Sequence, residues 1–450
     1  MDATREAAPT AVPEPATQVG DIRARWAWAE PAVWTDRMLE ALENGVKGGH
    51  WFSLIDKVYR RENLRAAFGE VAANQGAPGV DHVTIEQFKR DEEAQRERLE
   101  RTLRDGTYQP QAIRRTYIPK PGSREKRPLG IPTVRDRTVE AALRHVLEPI
   151  FERTFAERSY GFRPGRGCKD ALREVDRMLK AGHRHVVEAD WQSYFDSIPW
   201  GQLMARVEEQ IADGRVLALV QAFLSQGVLE AGRLREAKAG TPQGGVISPL
   251  LANIYLNALA QHMARKGYIL IRYADDLVIL CPRREQAQMA LDELRAWTQE
   301  AGLTLHPQKT RCRDMNQPGE GFDFLGYHFA YTQTGKLDRW PRKQSVRKFK
   351  DSIRAATRRG NGHSLPQIIQ RTNRITRGWF EYFKHSNRWS FPPLDAWIRH
   401  RLRTILRYRR HHKGRARGPD HQRWPNAYFA EQGLFSLVQA RAAALRPTCG

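Results

Sequence analysis

Cysteine is scarce. The 450 residues hold four, Cys168, Cys281, Cys312 and Cys449, with no Cys-x-x-Cys pair among them. That spacing excludes a zinc ribbon and offers no disulfide framework, so a reducing cytoplasm is the expected compartment. Long apolar runs are missing too. None approaches the roughly 20 residues needed to span a bilayer. The amino terminus has no secretory h-region, only an Ala/Pro-rich stretch with Asp2, Glu6 and Glu14 that reads as a disordered tail. Negative charge is the third shortage: 74 Lys and Arg stand against 51 acids, a formal +23. Such an excess asks for a polyanionic partner, and with no apolar span a membrane is not the expected one.

Two of the acids are adjacent. Asp275 and Asp276 sit in the stretch 271–281, Ile-Arg-Tyr-Ala-Asp-Asp-Leu-Val-Ile-Leu-Cys, between apolar runs at 268–271 and 277–280. The flanks are rich in β-branched residues, so the stretch reads as a β-hairpin with acids at its tip. An Asp-Asp pair can simply close a turn. Yet each carboxylate raises the other's pKa unless a cation stands beside them, and hard oxygen ligands of this kind suit magnesium. Phosphoryl transfer needs a further carboxylate from a neighbouring element. The stretch 186–196, Val-Val-Glu-Ala-Asp-Trp-Gln-Ser-Tyr-Phe-Asp, supplies one: a short apolar strand ends at Asp190, and a loop then carries Phe195.

Strand, acid, aromatic, then a hairpin with two acids is an order that resembles the palm of reverse transcriptases. The resemblance implies that Asp190, Asp275 and Asp276 are catalytic and hold two Mg2+ ions. It also implies that Phe195 packs against the sugar of the incoming nucleotide, leaves no room for a 2′-hydroxyl and so selects deoxynucleotides.

Earlier in the chain, residues 34–45 and 51–74 read as helices and 83–106 as a charged helical stretch. Between them lies Asn74-Gln-Gly-Ala-Pro-Gly-Val-Asp81, whose Gly, Pro and Asn forbid regular structure. On composition it is a surface loop. A similar Gly-x-Pro-Gly-Val-Asp loop in group II intron reverse transcriptases implies a place over the template–primer. Residues 114–133 read as a hairpin with a cation-dense Pro/Gly tip, Lys120 and Arg127 standing seven apart on its arms. It can bind phosphate backbone without specificity; by resemblance to reverse transcriptase fingers, Lys120 and Arg127 contact the incoming triphosphate. Residues 137–155 read as a core helix, and 159–168 alternates aromatics with Gly and Arg in a way that suits backbone approach and base stacking.

The stretch 240–250, Gly-Thr-Pro-Gln-Gly-Gly-Val-Ile-Ser-Pro-Leu, reads as the start of a long helix with Ser248 as its cap and Pro249 in its first turn. Gln243 resembles the residue that touches nucleotide sugar and base in such polymerases. After an amphipathic helix over 284–301, residues 302–310 are expected to return as a strand ending in Lys309. Strand, helix, strand, strand, helix, strand with every acid at one rim makes a ferredoxin-like palm. Lys309 either protonates the leaving pyrophosphate, the role implied by the family, or makes a simple salt bridge. Residues 321–329, with Leu325 and Gly326 at the turn, resemble the primer-grip hairpin.

The last segment changes character. Residues 336–417 hold 24 Lys/Arg against four acids, a net +20 of the chain's +23, with aromatics threaded through them. Some of those aromatics must be core, but the asymmetry fits a helical thumb gripping template–primer and structured RNA, with steep salt dependence. Arg371, Arg374, Arg377, Arg407 and Arg410 are its expected RNA contacts. Gly-Trp-Phe-x-Tyr-Phe at 378–383 and Arg-Trp-Pro-Asn-Ala-Tyr-Phe at 423–429 resemble the maturase region of bacterial group II intron-encoded proteins.

The expected class is therefore α+β: a right-hand polymerase with fingers and ferredoxin-like palm, followed by an α-helical thumb. The expected divisions are a tail (1–33), a helical extension with the template-contacting loop (34–112), fingers and palm (113–335) and the basic thumb (336–450). The resemblance implies an RNA-directed DNA polymerase that copies intron RNA and assists its splicing. Its partners would be structured intron RNA, an RNA template with DNA primer, target DNA and dNTPs, with a homodimer as a further possibility, in a nucleoid-associated bacterial setting. No endonuclease motif follows the thumb, so second-strand cleavage is not expected of this chain. Two alternatives stay open: an RNA-binding splicing cofactor without polymerase activity, and a reverse transcriptase recruited to phage defence or CRISPR spacer acquisition.

Overall fold

The structure, a computed structural model, describes residues 21–46, 48–119, 126–360 and 362–444. It is α+β. The fingers are built on an antiparallel hairpin of β1 (Ile113–Pro119) and β2 (Lys126–Ile131), with Arg115 opposite Gly130 and Ile118 opposite Arg127. Next in order comes β3 (His185–Ala189), the first strand of the palm. A short hairpin, β4 (Val228–Glu230) and β5 (Arg233–Arg235), then returns to the fingers, where β4 runs parallel to β1 and completes the order β2-β1-β4-β5.

The palm is completed by β6 (Ile269–Tyr273), β7 (Asp276–Cys281) and β8 (Arg311–Asp314), in the antiparallel order β6-β7-β3-β8. With the helices Ser248–Arg265 and Arg284–Glu300 between its strands, this is the ferredoxin-like arrangement expected. Alternation along the strands splits their side chains between two cores. Val187, Ala189, Leu277 and Ile279 pack under those two helices. Val186, Ile271, Val278 and Leu280 pack on the other face against the helix Cys168–Lys180.

Against that same face lies a three-stranded sheet of β9 (Gly321–Phe324), β10 (Tyr327–Tyr331) and β11 (Leu337–Pro341). The thumb follows. Its helices Lys343–Ala356, Leu365–Phe383 and Pro392–Arg409 enclose a separate core of Ile353, Ile368, Phe380, Phe391, Leu402 and Phe429. No helix among the described residues is long and apolar enough to cross a membrane.

Four expectations change. The tail expected over 1–33 gives way to order by Asp21, since Ile22–Arg25 is helical and Ala29 and Val33 are buried; residues 1–20 lie outside the described residues. The strand expected over 302–310 is absent. That stretch is turns with one bridge, Leu305 to Trp191, and the strand begins only at Arg311, so Lys309 precedes it. Pro307 explains the break, because it has no N–H for a ladder. Ser248 lies inside its helix and caps nothing; the buried carboxyl of Glu140 accepts from Val246 N and from Ile247 N (3.2 Å) instead. The loop 74–81 is not a free surface loop. Arg114 donates to Pro78 O (2.5 Å) and Arg137 to Ala77 O (2.9 Å), while a Cβ at Gly79 would lie 2.6 Å from Thr133 Cα.

Candidate active site

The site starts from a tight turn. Tyr273 pairs with Asp276, so β6 and β7 are joined by Ala274 and Asp275 alone, and Ala274 takes a left-handed φ of 56°. Such a conformation is costly for a residue with a Cβ and needs support. Arg272 provides it. Fully buried, it donates to Ala274 O (2.9 Å), Asn253 Oδ1 (2.8 Å) and Ser159 Oγ (2.5 Å). Gly161 packs on the same turn, where a Cβ would come within 2.1 Å of Ala274 N. The backbone approach read from the Tyr-Gly-Phe stretch is thus to this turn, while Phe162 is 48% exposed.

Asp190 follows β3 directly. Since Ala189 is opposite Leu277, its neighbour Asp190 comes beside Asp276 across the sheet. The three carboxylates act on one another. Burial raises the pKa of Asp275, and Asp190 raises it further, while Arg127 and Arg272 pull it down. Asp276 is pushed up to about 6 by burial, then by Asp275 and Asp190, against the pull of Arg342 and Lys309. Lys309 Nζ stands 2.6 Å from Asp190 Oδ2. Arg272 has a pKa lowered by burial to about 10, so it stays cationic beneath the turn.

Among the described residues no three His, Cys, Asp or Glu side chains stand close enough together to hold a metal ion as they are placed. The chemistry of the set nonetheless suits a divalent cation. All three offer hard carboxylate oxygens, and Asp275 and Asp276, whose pKa values are raised, are groups that a dication would keep ionised.

The other expected residues fall around this centre. Arg127, on β2, acts electrostatically on Asp275; Lys120 lies outside the described residues. Phe195 is half-buried with its ring 5.4 Å from that of Tyr194, and its carbonyl accepts from Thr241 N (2.7 Å). The carbonyl of Gln243 accepts from Gly130 N (2.6 Å), which ties its turn to β2. Gly244 there has φ 118°, and a Cβ would lie 2.2 Å from Gly130 O, so only glycine fits. Leu325 and Gly326 form the two-residue turn between β9 and β10, both with positive φ. Tyr382 donates to Leu325 O (2.7 Å) and Ser345 to Gly326 O (3.0 Å), which fastens the turn to the thumb.

The thumb arginines divide. Arg371, Arg374 and Arg377 are exposed at three-residue spacing on one helix, and Arg410 is exposed over the Trp424 ring. Arg407 is different: it pairs with the buried Asp420 at 3.0 Å and donates to Lys413 O. Two supporting residues, Arg272 and Glu140, escaped the sequence reading. Arg272 is a charge inside the otherwise apolar run 268–274, and that is the signal that points to it; Glu140, in a helix charged throughout, has none.

A ferredoxin-like palm with three carboxylates at one rim, cationic fingers and a basic helical thumb defines a right-hand polymerase. Residues 118–329 match the model of the reverse transcriptase (RNA-dependent DNA polymerase) family, and residues 346–424 match the group II intron, maturase-specific domain. The chain is 40% identical over 215 residues to the group II intron-encoded protein LtrA of Lactococcus lactis subsp. cremoris, a match covering 46% of this chain and 35% of LtrA. It is 32% identical over 343 residues to protein YkfC of Escherichia coli (strain K12), covering 68% of this chain and 85% of YkfC. Among solved structures, one chain of a partial Cas6-RT-Cas1–Cas2 complex is similar at 22% identity and a TM-score of 0.36, over 55% of this chain and 42% of that one, too weak a likeness to carry an argument. The chain belongs to the group II intron reverse transcriptase/maturase family, whose reverse transcriptases generally use a divalent metal.

Proposed function

We propose that this chain is an RNA-directed DNA polymerase that copies a group II intron RNA into DNA and assists the splicing of that RNA. The observation that carries the reading is the convergence of Asp190 with Asp275 and Asp276, flanked by Arg127 and Lys309. In the reaction the primer 3′-oxygen bonds to the α-phosphorus of a dNTP, the bond to the bridging oxygen breaks, and pyrophosphate leaves.

Magnesium, two ions held by Asp190, Asp275 and Asp276, would supply the positive charge that activates the hydroxyl and neutralises the transferring phosphoryl group. Arg127 and Lys120 orient the triphosphate. Lys309 returns a proton to the pyrophosphate. Phe195 excludes a 2′-hydroxyl, Gln243 fixes sugar and base, and the turn at Leu325-Gly326 seats the primer end. The net charge of +20 over residues 336–417 grips template–primer and intron RNA through Arg371, Arg374, Arg377 and Arg410. Target DNA, a homodimer and a nucleoid-associated place in the bacterial cytoplasm complete the reading.

The test is primer extension on an RNA template with dNTPs and magnesium, beside Asp275→Asn. Activity in the wild type and its loss in the variant, with RNA affinity kept, is the expected result. Extension by Asp275→Asn would remove the metal assignment. No extension by either, with tight salt-sensitive RNA binding, would leave only the splicing role.

A further inference from the structure

Behind the fingers sheet lies a cavity of about 280 Å3 that borders the proposed nucleotide site at Gln243 and whose other lining residues have no role in the polymerase reading. Side chains alternate along a strand. Pro128 and Gly130 of β2 therefore turn toward the cavity, while Arg127 turns to the opposite face, where it acts on Asp275. Part of the cavity wall is apolar, from Ile113, Pro128, Leu224, Val228 and Pro242. Gly130 belongs to the same wall and admits no side chain, since a Cβ would lie 2.7 Å from Ile113 Cγ2.

Set among these walls are polar groups without partners. Gln226 is 6% exposed, and among the described residues neither its Oε1 nor its Nε2 finds a hydrogen bond. The Thr241 hydroxyl, 2% exposed, also lacks one, as does Arg115 Nε. A buried polar group left unpaired is unfavourable, so these groups call for an occupant. The charges around them decide its kind. Asp196, Glu230 and Glu236 outnumber Arg115 and Arg235, and Arg235 already stands 3.2 Å from Glu230. That balance disfavours a phosphate and favours a neutral group. A carboxamide offers one donor and one acceptor edge, and the apolar side chains around it can cover the faces of a planar ring.

We propose that this cavity binds a nucleobase, held by its edge to Gln226 and Thr241 with any phosphate left outside. The base comes either from a free nucleoside or from an unpaired position of a bound RNA strand. Occupancy acts on the nucleotide site through the wall they share, because Gly130 N donates to Gln243 O at 2.6 Å. The proposal rests on the polymerase reading only in naming nucleic acid as the ligand's source.

The test uses the full chain, with guanosine, adenosine, cytidine and uridine as probes in titration calorimetry without dNTPs, and primer extension measured on the same preparation. A nucleoside is expected to bind the wild type and Arg127→Ala equally and Gln226→Leu at least tenfold more weakly. Thr241→Val, expected to weaken binding in the same direction, serves if Gln226→Leu does not fold. RNA carrying 4-thiouridine at successive positions separates the sources. A crosslink to residues 224–228 assigns the cavity to a strand base, and nucleoside binding without that crosslink assigns it to a free nucleoside. A preparation that extends primers yet shows neither binding nor crosslink, or a crystal with only ordered water in the cavity, overturns the proposal and leaves the polymerase standing. Nucleoside binding lost in Arg127→Ala and kept in Gln226→Leu overturns it too.

Discussion

Lys309 Nζ lies 2.6 Å from Asp190 Oδ2, an ion pair that sets a lysine directly against one of the three site carboxylates. Lys309 is exposed and Asp190 half-buried, so the pair is open to solvent on the lysine side and contributes little to stability. Its value lies in chemistry. In the proposed reaction Lys309 would be the proton donor to the leaving pyrophosphate, and general acid catalysis contributes roughly 10²–10⁴-fold. Lys309→Met is expected to lower kcat for single-nucleotide incorporation about a hundredfold with little change in Tm or in dNTP KM. An unchanged kcat would reduce Lys309 to its ion pair.

Arg272 carries the turn that displays Asp275. Replacing it with Met leaves Ala274 O and Asn253 Oδ1 without their donor inside a buried site. Each orphaned group costs roughly 1–3 kcal/mol, so Arg272→Met will lower the denaturant midpoint and abolish extension together. Arg272→Lys keeps the charge but offers one ammonium where a planar fork reached three acceptors. It should recover part of the stability and little of the activity. Full activity in the lysine variant would show that charge alone, not the fork, is needed.

Arg272 also marks where sequence stops being legible. The acids Asp275 and Asp276 could be read because adjacent like charges at a hairpin tip are conspicuous, and the palm could be read because its strands alternate with long amphipathic helices. Lys309 was legible as a residue but not as a position, since Pro307 interrupts the strand that seemed to carry it. The joining of β4 to β1 was not legible at all. A parallel pair between segments about a hundred residues apart has no local signature. Glu140 was hidden for another reason: it is one of four acids in the helix Val134–Glu152, and nothing local sets it apart until the turn it caps is brought against it.

Glu140 gives a pH dependence with a definite sign. Its carboxyl is fully buried, and burial pushes its pKa up to about 7 despite the donors Val246 N and Ile247 N. The folded state therefore holds a proton that the unfolded chain, at about 4.5, has already lost. Stability from this group is greatest at low pH, falls as pH rises from about 4.5 through about 7, and is flat above. Between pH 6 and pH 8 the loss is about 1 kcal/mol. Glu140→Gln, neutral at both, is expected to flatten that step in urea unfolding measured at the two pH values. A step of the same size in the variant would assign it to another group.

The thumb arginines are expected to separate by what each one touches. Arg371 and Arg374 are exposed, and each phosphate that an arginine no longer neutralises lowers the slope of log K against log salt by roughly 0.7–0.9. Arg371→Ala and Arg374→Ala should therefore weaken RNA binding most at low salt, reduce that slope by about one unit each, and leave Tm in place. Arg407→Ala should do the reverse. Asp420 is 4% exposed and would keep only the Arg417 N–H (2.7 Å) after losing the guanidinium at 3.0 Å. An uncompensated buried carboxylate costs on the order of 2 kcal/mol or more, so Tm falls while the salt slope holds. Filter binding over a salt series, beside thermal melts of the three variants, reads both. A slope change in Arg407→Ala without a Tm change would place Arg407 back among the RNA-binding residues.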